Sequence, residues 1–183
     1  MKRFSPFYGL VFVSFLVAAA GCSDDEGSGD SGGNTNAGEP ASMQGITEAH
    51  NAARASVDPP APEPLPPLVW SPELAAVAQA YAENCVWEHS SNDYGENLYA
   101  SSNSSTAEKV VSNWVSEKAD YIYESNECSA VCGHYTQVVW AKTTKLGCGM
   151  AKCSKGSPLG GGDWEFWVCN YDPPGNFIGQ KPY

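Results

Sequence analysis

The sequence predicts an α+β domain, because three helical patterns come first and three strand patterns follow them. The leading half carries apolar residues at helical spacing behind recognisable start signals. The trailing half carries β-branched and aromatic runs separated by Gly, Lys and Ser turns. Segregation of this kind argues against alternating βαβ units. At 183 residues the chain suits one domain with appendages.

The first helix is expected over residues 44–55, where Ile46, Ala49, His50 and Ala53 share a side. Residues 58–67 hold six prolines and form a stiff connector, neither helix nor central strand. Ser71-Pro72-Glu73 starts the second helix, with Ser71 as N-cap and Pro72 in the first turn. Leu74, Val77, Ala78 and Tyr81 form its apolar stripe, and Cys85 stands at its end. Ser105-Thr106-Ala107-Glu108 reads as a capping box opening a third helix, with Ala107, Val110, Val111 and Trp114 on the buried face. Strands are expected over 135–140, 146–152 and 164–171.

The start of the chain is an export segment. Lys2 and Arg3 precede an apolar run over 7–20, shorter than the roughly 20 residues a spanning helix needs. A basic start, a short apolar stretch and small residues before a boundary describe a secretory signal. The boundary Ala19-Ala20-Gly21-Cys22 resembles the bacterial lipoprotein box. That resemblance makes 1–21 the signal peptide and implies a diacylglyceryl group on the Cys22 thiol. The protein would then sit in the cell envelope, bound to the membrane through its lipid. Ser23 in place of Asp after the cysteine favours the outer membrane of a Gram-negative cell. The other reading is an ordinary signal peptide and a secreted, extracellular protein. Of seven cysteines, six remain to pair once Cys22 is set aside, which suits an oxidising compartment. Residues 22–43 are acidic, rich in Gly and Ser and without apolar periodicity, so they read as a flexible linker, leaving 44–183 as the folded domain.

A formal net charge of −11 argues against nucleic acid as a partner and against electrostatic attachment to anionic lipid. It suits divalent cations, cationic ligands or simple solubility.

Four polar residues are candidates for a site. Glu117 lies seven positions after Val110 and three after Trp114, on the apolar stripe of the third helix. Either its stem lies along the core edge with its head in water, or its carboxylate is aimed at a shared polar site. His89 follows the second helix, Glu96 stands in Gly95-Glu96-Asn97-Leu98, and His134 opens the first expected strand. Two imidazoles and two carboxylates suit a divalent metal or proton exchange. Singly, each has a plainer use, such as capping a turn or satisfying backbone groups. No His-Glu-x-x-His spacing occurs.

The string Gly133-His134-Tyr135-Thr136-Gln137-Val138-Val139-Trp140 resembles the first signature of the CAP superfamily (SCP domains), which unites cysteine-rich secretory proteins, antigen 5 and plant pathogenesis-related class 1 proteins. Phe166-Trp167-Val168-Cys169-Asn170-Tyr171-Asp172-Pro173-Pro174-Gly175-Asn176-Phe177 resembles the second. His50-Asn51-Ala52-Ala53-Arg54, Gly95-Glu96-Asn97-Leu98 and Trp114-Val115-Ser116-Glu117 resemble three further motifs, in the family's order. The plant class is the nearest likeness, down to Gly179-Gln180-Lys181-Pro182-Tyr183.

The resemblance implies a disulfide-stapled, three-layer α-β-α sandwich around a small, mainly antiparallel sheet. It implies that His89, Glu96, Glu117 and His134 meet in one surface cleft. There the two His would bind zinc or another divalent cation, and no organic cofactor is expected. Glu96 and Glu117 would complete the tetrad, and would be the catalytic carboxylates if the protein is an enzyme. His50 is outside the tetrad and is expected to tie the first helix to the core. The implied bridges are Cys85–Cys153, Cys128–Cys132 and Cys148–Cys169. An aromatic loop with Tyr121, Ile122 and Tyr123 would offer apolar area with polar tips to a lipid or sterol. A ligand-binding or surface-interaction module ranks first. The alternative is a metal-dependent hydrolase or protease, ranked lower because two His make a weaker metal shell than three protein ligands.

Overall fold

The computed structural model describes residues 35–183, so the signal segment, Cys22 and most of the linker lie outside the described residues. The first helix, α1, spans Ile46–Ala55. It starts two residues later than expected because Gly45 turns the chain with φ +86° and the Glu39 carboxylate accepts from the Gly45 and Thr47 amides, both at 2.9 Å. A carboxylate at a helix start satisfies orphan N–H groups and complements the helix dipole. Met43 is buried in the core, and the Trp70 amide donates to the Thr35 carbonyl. Residues 35–43, assigned above to the linker, are therefore part of the fold.

After the Pro-rich connector come β1, Val69–Trp70, and α2, Pro72–Ala82. Ser71 caps α2 by accepting from the Leu74 amide at 3.3 Å. Next is β2, Gly95–Ser101, a strand the sequence did not announce. Its polar start, Gly95-Glu96-Asn97, hides the alternation that Leu98 to Ser101 carries. The third helix, α3, spans Ala107–Ser116. Its cap is Thr106, not Ser105: the Thr106 hydroxyl accepts from the Lys109 amide, while the Ser105 amide is taken by the Glu165 carboxylate at 3.0 Å. A 3₁₀ turn, Glu117–Asp120, leads to a small hairpin of β3, Tyr121–Ile122, and β4, Glu127–Cys128.

The segment expected as a strand over 135–140 is instead a helix, α4, Gly133–Val138. Its β-prone residues misled the propensity argument, which tertiary context overrides. Tyr135, Val138 and Val139 are all buried, at i, i+3 and i+4. Two long strands close the chain, β5, Lys145–Cys153, and β6, Trp164–Asp172.

The main sheet has the order β1-β5-β6-β2. Only β1 runs parallel to its neighbour; β5, β6 and β2 are antiparallel. Along β6 the side chains alternate between two clusters, and nearly all are buried, as a central strand requires. Phe166 and Val168 join Leu98, Ala78 and Ala82 beneath α2. Trp167, Cys169 and Tyr171 join Ile46, Val110, Trp114 and Val138 beneath α1, α3 and α4. The result is three layers, with the sheet in the middle. α2 lies directly on β5, because Gly147 and Gly149 present no side chain to it; a Cβ at either would collide with the backbone of Ala75 or Gln79.

Three disulfides join Cys85 to Cys153, Cys128 to Cys132 and Cys148 to Cys169. The first ties the segment after α2 to the end of β5. The last joins residues directly opposite each other on β5 and β6.

Candidate functional site

The site grows from α4. This helix has only six residues, too short to persist on its own, and side chains from elsewhere hold both ends. At its start the Glu117 carboxylate, carried by the turn after α3, accepts from the His134 amide at 2.9 Å and the Tyr135 amide at 3.4 Å. The other oxygen of that carboxylate accepts from His134 Nδ1 at 2.6 Å. At the far end the Arg54 guanidinium donates to the carbonyls of Val138 and Trp140. Trp114 stacks parallel to the His134 ring and donates its indole N–H to the Leu98 carbonyl on β2. Glu117 is thus aimed inward, the second of the two readings its periodicity left open.

The other pair forms beside the edge strand β2. His89 Nδ1 donates to Glu96 Oε1 at 2.8 Å. The Ser90 amide donates to the same oxygen, and the Ser90 hydroxyl donates to Oε2 at 2.6 Å. The Glu96 side chain is only 6% exposed, whereas His89 stands 64% in solvent. The hydrogen bond from His89 to Glu96 raises the imidazole above its ordinary value, although partial burial opposes this. Burial pushes the Glu96 carboxyl upward, but hydrogen bonds from His89 and Ser90 outweigh it and hold the group below the usual carboxylate range.

The four residues come together as two pairs. Successive residues of β2 point to opposite sides: Glu96 meets His89, while the Asn97 amide donates to the His134 carbonyl at 3.1 Å. Asn97, next to Glu96 on β2, thus links this strand to the backbone of His134. Among the described residues no three of His, Cys, Asp and Glu form a group able to hold a metal ion. The carboxylate oxygens of both Glu are occupied by N–H or O–H donors. A carboxylate accepts, so each Nδ1 carries the proton and each neutral ring keeps its lone pair on Nε2.

His50 is fully buried and does tie α1 to the core. Its Nδ1 donates to the Ile46 carbonyl at 2.7 Å, and its Nε2 accepts from the Tyr171 hydroxyl at 2.8 Å. Asn97 donates to the same Tyr171 oxygen at 3.1 Å. A polar row therefore runs from α1 through the core to the backbone of His134. Burial pulls His50 down to about 4. The folded protein keeps this ring neutral, whereas the unfolded chain protonates it below about 6.5. Stability should fall by about 3 kcal/mol as pH drops from 6.5 towards 4. Urea unfolding at pH 7 and pH 4.5 checks this, because His50→Gln should remove most of that acid loss. An equal loss in the variant would assign the acid sensitivity to the carboxylates.

The aromatic hairpin is in use. The Tyr121 hydroxyl donates to Asn126 Oδ1. Tyr123 stacks on Tyr183 with ring centres 5.0 Å apart, donates to the Tyr183 carbonyl and lies under the Lys181 ammonium. Ile122 remains exposed. A cleft of about 280 Å³ lies beside the hairpin, lined by Tyr121, Thr136, Trp140, Phe177 and Ile178. Asn97 and Arg54 were not singled out as site residues. Alternation along β2 would have exposed Asn97 as an inward polar residue, and Arg54 is four positions after buried His50 on one helix face.

The family model "CAP: Cysteine-rich secretory protein family" matches residues 47–171. The chain belongs to the CAP family. It is 42% identical over 146 residues to pathogenesis-related protein 1 of Arabidopsis thaliana, covering 78% of this chain and 83% of that protein. Among solved structures it resembles venom allergen-like protein 4 of Schistosoma mansoni, with TM-score 0.63, 27% identity and coverage of 79% and 95%. A structure titled "NaASP2 with Zn2+" matches this CAP domain with the same TM-score and identity, over 79% and 86% of the two chains.

Proposed function

We propose that this CAP protein is an exported, lipid-anchored ligand-binding or surface-interaction module whose cleft takes a divalent cation through His89 and His134. The observation that carries this is the state of the two imidazoles. Each Nδ1 is held by a carboxylate, at 2.8 and 2.6 Å, which orients the ring and leaves Nε2 as the donor atom. Carboxylates that hold the far nitrogen of a metal-bound imidazole act in this way. The donor set fits zinc, with water completing the shell, and a related structure is titled with Zn2+. When bound, the cation supplies a Lewis-acid centre and acidifies its water. Glu117 and Glu96 orient the rings and, in Glu117's case, secure α4, so neither carboxylate is left bare to act as a general base. This supports binding over hydrolysis. The cleft beside Tyr121 and Ile122 suits an amphipathic lipid or sterol, with Phe177 and Ile178 offering exposed apolar surface. Anchoring at Cys22 in the cell envelope is part of the same reading.

Zinc titration by calorimetry near pH 7 tests the cation site. Replacing both His89 and His134 with Ala should abolish binding while circular dichroism is unchanged. Affinity should fall as pH drops through the raised His89 value, where protons compete for the ring. Zinc affinity untouched by the double substitution sinks the assignment. Loss of a measured hydrolytic turnover in Glu117→Gln, with zinc still bound, would favour the enzyme instead.

A further inference from the structure

A second cleft is remote from the His/Glu pairs. It opens at the opposite end of the sheet, where β2 ends at Ser101, five residues and about 17 Å along the strand from Glu96. Its volume is about 300 Å³, and Asn103, Lys152, Asp163, Trp164 and Glu165 are among its walls. Trp164 and the Cys153 bridge make a rigid floor: the indole N–H is fixed to the Lys155 carbonyl, and the bridge reaches Cys85.

The charges at this cleft are oddly arranged. Lys152 and Glu165 are cross-strand partners on β5 and β6, a position where opposite charges ordinarily pair. They do not pair here. One oxygen of the Glu165 carboxylate is taken by the Ser105 amide at 3.0 Å and the Trp167 indole N–H at 3.2 Å. Most of Glu165 is buried, but its Oε1 has no hydrogen bond among the described residues and reaches solvent. The Lys152 ammonium and the Asp163 carboxylate line the same cleft, and neither has an ion pair or hydrogen bond among the described residues. The lining therefore holds an unused cation, an unused carboxylate and a fixed acceptor.

We propose that this cleft is a second binding site, for a small zwitterion between a free amino acid and a dipeptide in size. Its carboxylate meets Lys152, and its ammonium meets Asp163 and Glu165 Oε1. The volume stands at the lower end of small-molecule sites, which suits a ligand of that size. Charge-assisted hydrogen bonds at both ends give orientation as well as affinity. A simple anion would be repelled by the two carboxylates, and a simple cation by Lys152, so the arrangement selects for both charges in one molecule.

The test titrates ¹⁵N-labelled full-length protein with L-alanyl-L-alanine up to about 10 mM. Amide shifts should be confined to residues 102–105, 152–154 and 163–165. Lys152→Met and Asp163→Asn, both at exposed positions, should each weaken binding about tenfold. N-acetyl-L-alanine, which lacks the ammonium, should not be weakened by Asp163→Asn, and loss of the repelling carboxylate should if anything strengthen its binding. L-Alaninamide, which lacks the carboxylate, should not be weakened by Lys152→Met, and loss of the repelling ammonium should if anything strengthen its binding. Three outcomes would overturn the proposal: no shifts in those segments, equal affinity in wild type and both variants, or shifts centred on His89 and His134.

Discussion

Arg54→Met is expected to remove about 3–5 kcal/mol of folding stability. The Arg54 side chain is fully buried, yet among the described residues no carboxylate pairs with it. Instead its three nitrogens donate to the carbonyls of Pro66, Val138, Trp140 and Thr143 at 2.8 to 3.2 Å. Burial pulls the guanidinium down to about 10, so it remains charged at neutral pH. Methionine fills similar space but leaves the buried carbonyls of Val138 and Thr143 facing an apolar chain, and each orphaned group costs about 1–3 kcal/mol. Lys should rescue only part of this, since one ammonium cannot reproduce a planar fork. Urea unfolding at pH 7 measures the change, as a lower midpoint at unchanged slope. A loss below about 1 kcal/mol would show that water replaces the guanidinium without penalty.

Gly147→Val is expected to have a comparable effect by the opposite route, adding atoms where none fit. A Cβ at Gly147 would lie within 2.6 Å of the Leu74 carbonyl carbon and closer still to the Ala75 amide. These are backbone atoms, so no rotamer change relieves the clash. α2 must lift from β5 along the seam it shares with Gly149. Overpacking of this kind costs about 3 kcal/mol or more. The segment after α2 carries His89 and is bound to β5 through Cys85, so displacement of α2 should also disturb the His89–Glu96 pair. Thermal melting measures the first effect and ¹⁵N shifts of residues 89–96 the second. A melting temperature within about 2 °C of wild type would mean that α2 does not lie where described.

The sequence displayed its outer helices and its two long strands openly. Ser71-Pro72 marks the start of α2 by local chemistry alone, and the alternation of β6 survives because both faces of that strand meet apolar clusters. What it concealed depends on long-range partners. α4 is a helix because Glu117 and Arg54, 17 and 84 positions from the backbone groups they hold, satisfy its two ends. No window of ten residues contains that information. Glu39 likewise belongs to the fold through the amides of Gly45 and Thr47 at the start of α1, although its own surroundings read as linker. Each member of the His/Glu set was nameable from its motif, but periodicity could not place Glu117 inward. Spacing said nothing of Asn97, the amide between the two pairs. Six cysteines permit 15 pairings, and their own spacing offers no means of choosing.

A row of hydrogen bonds has a direction, and the one through His50 can run only one way. The Ile46 carbonyl is an acceptor without alternative, so His50 must place its proton on Nδ1. Nε2 is then obliged to accept, Tyr171 must surrender its hydrogen to it, and the phenol oxygen is left to receive from Asn97. Asn97 must therefore turn its nitrogen, not its oxygen, towards both Tyr171 and His134. One carbonyl in the first turn of α1 thus sets the orientation of an amide that holds the backbone of His134. A second proton on His50 would turn Nε2 into a donor, and the Tyr171 hydrogen would lose its acceptor.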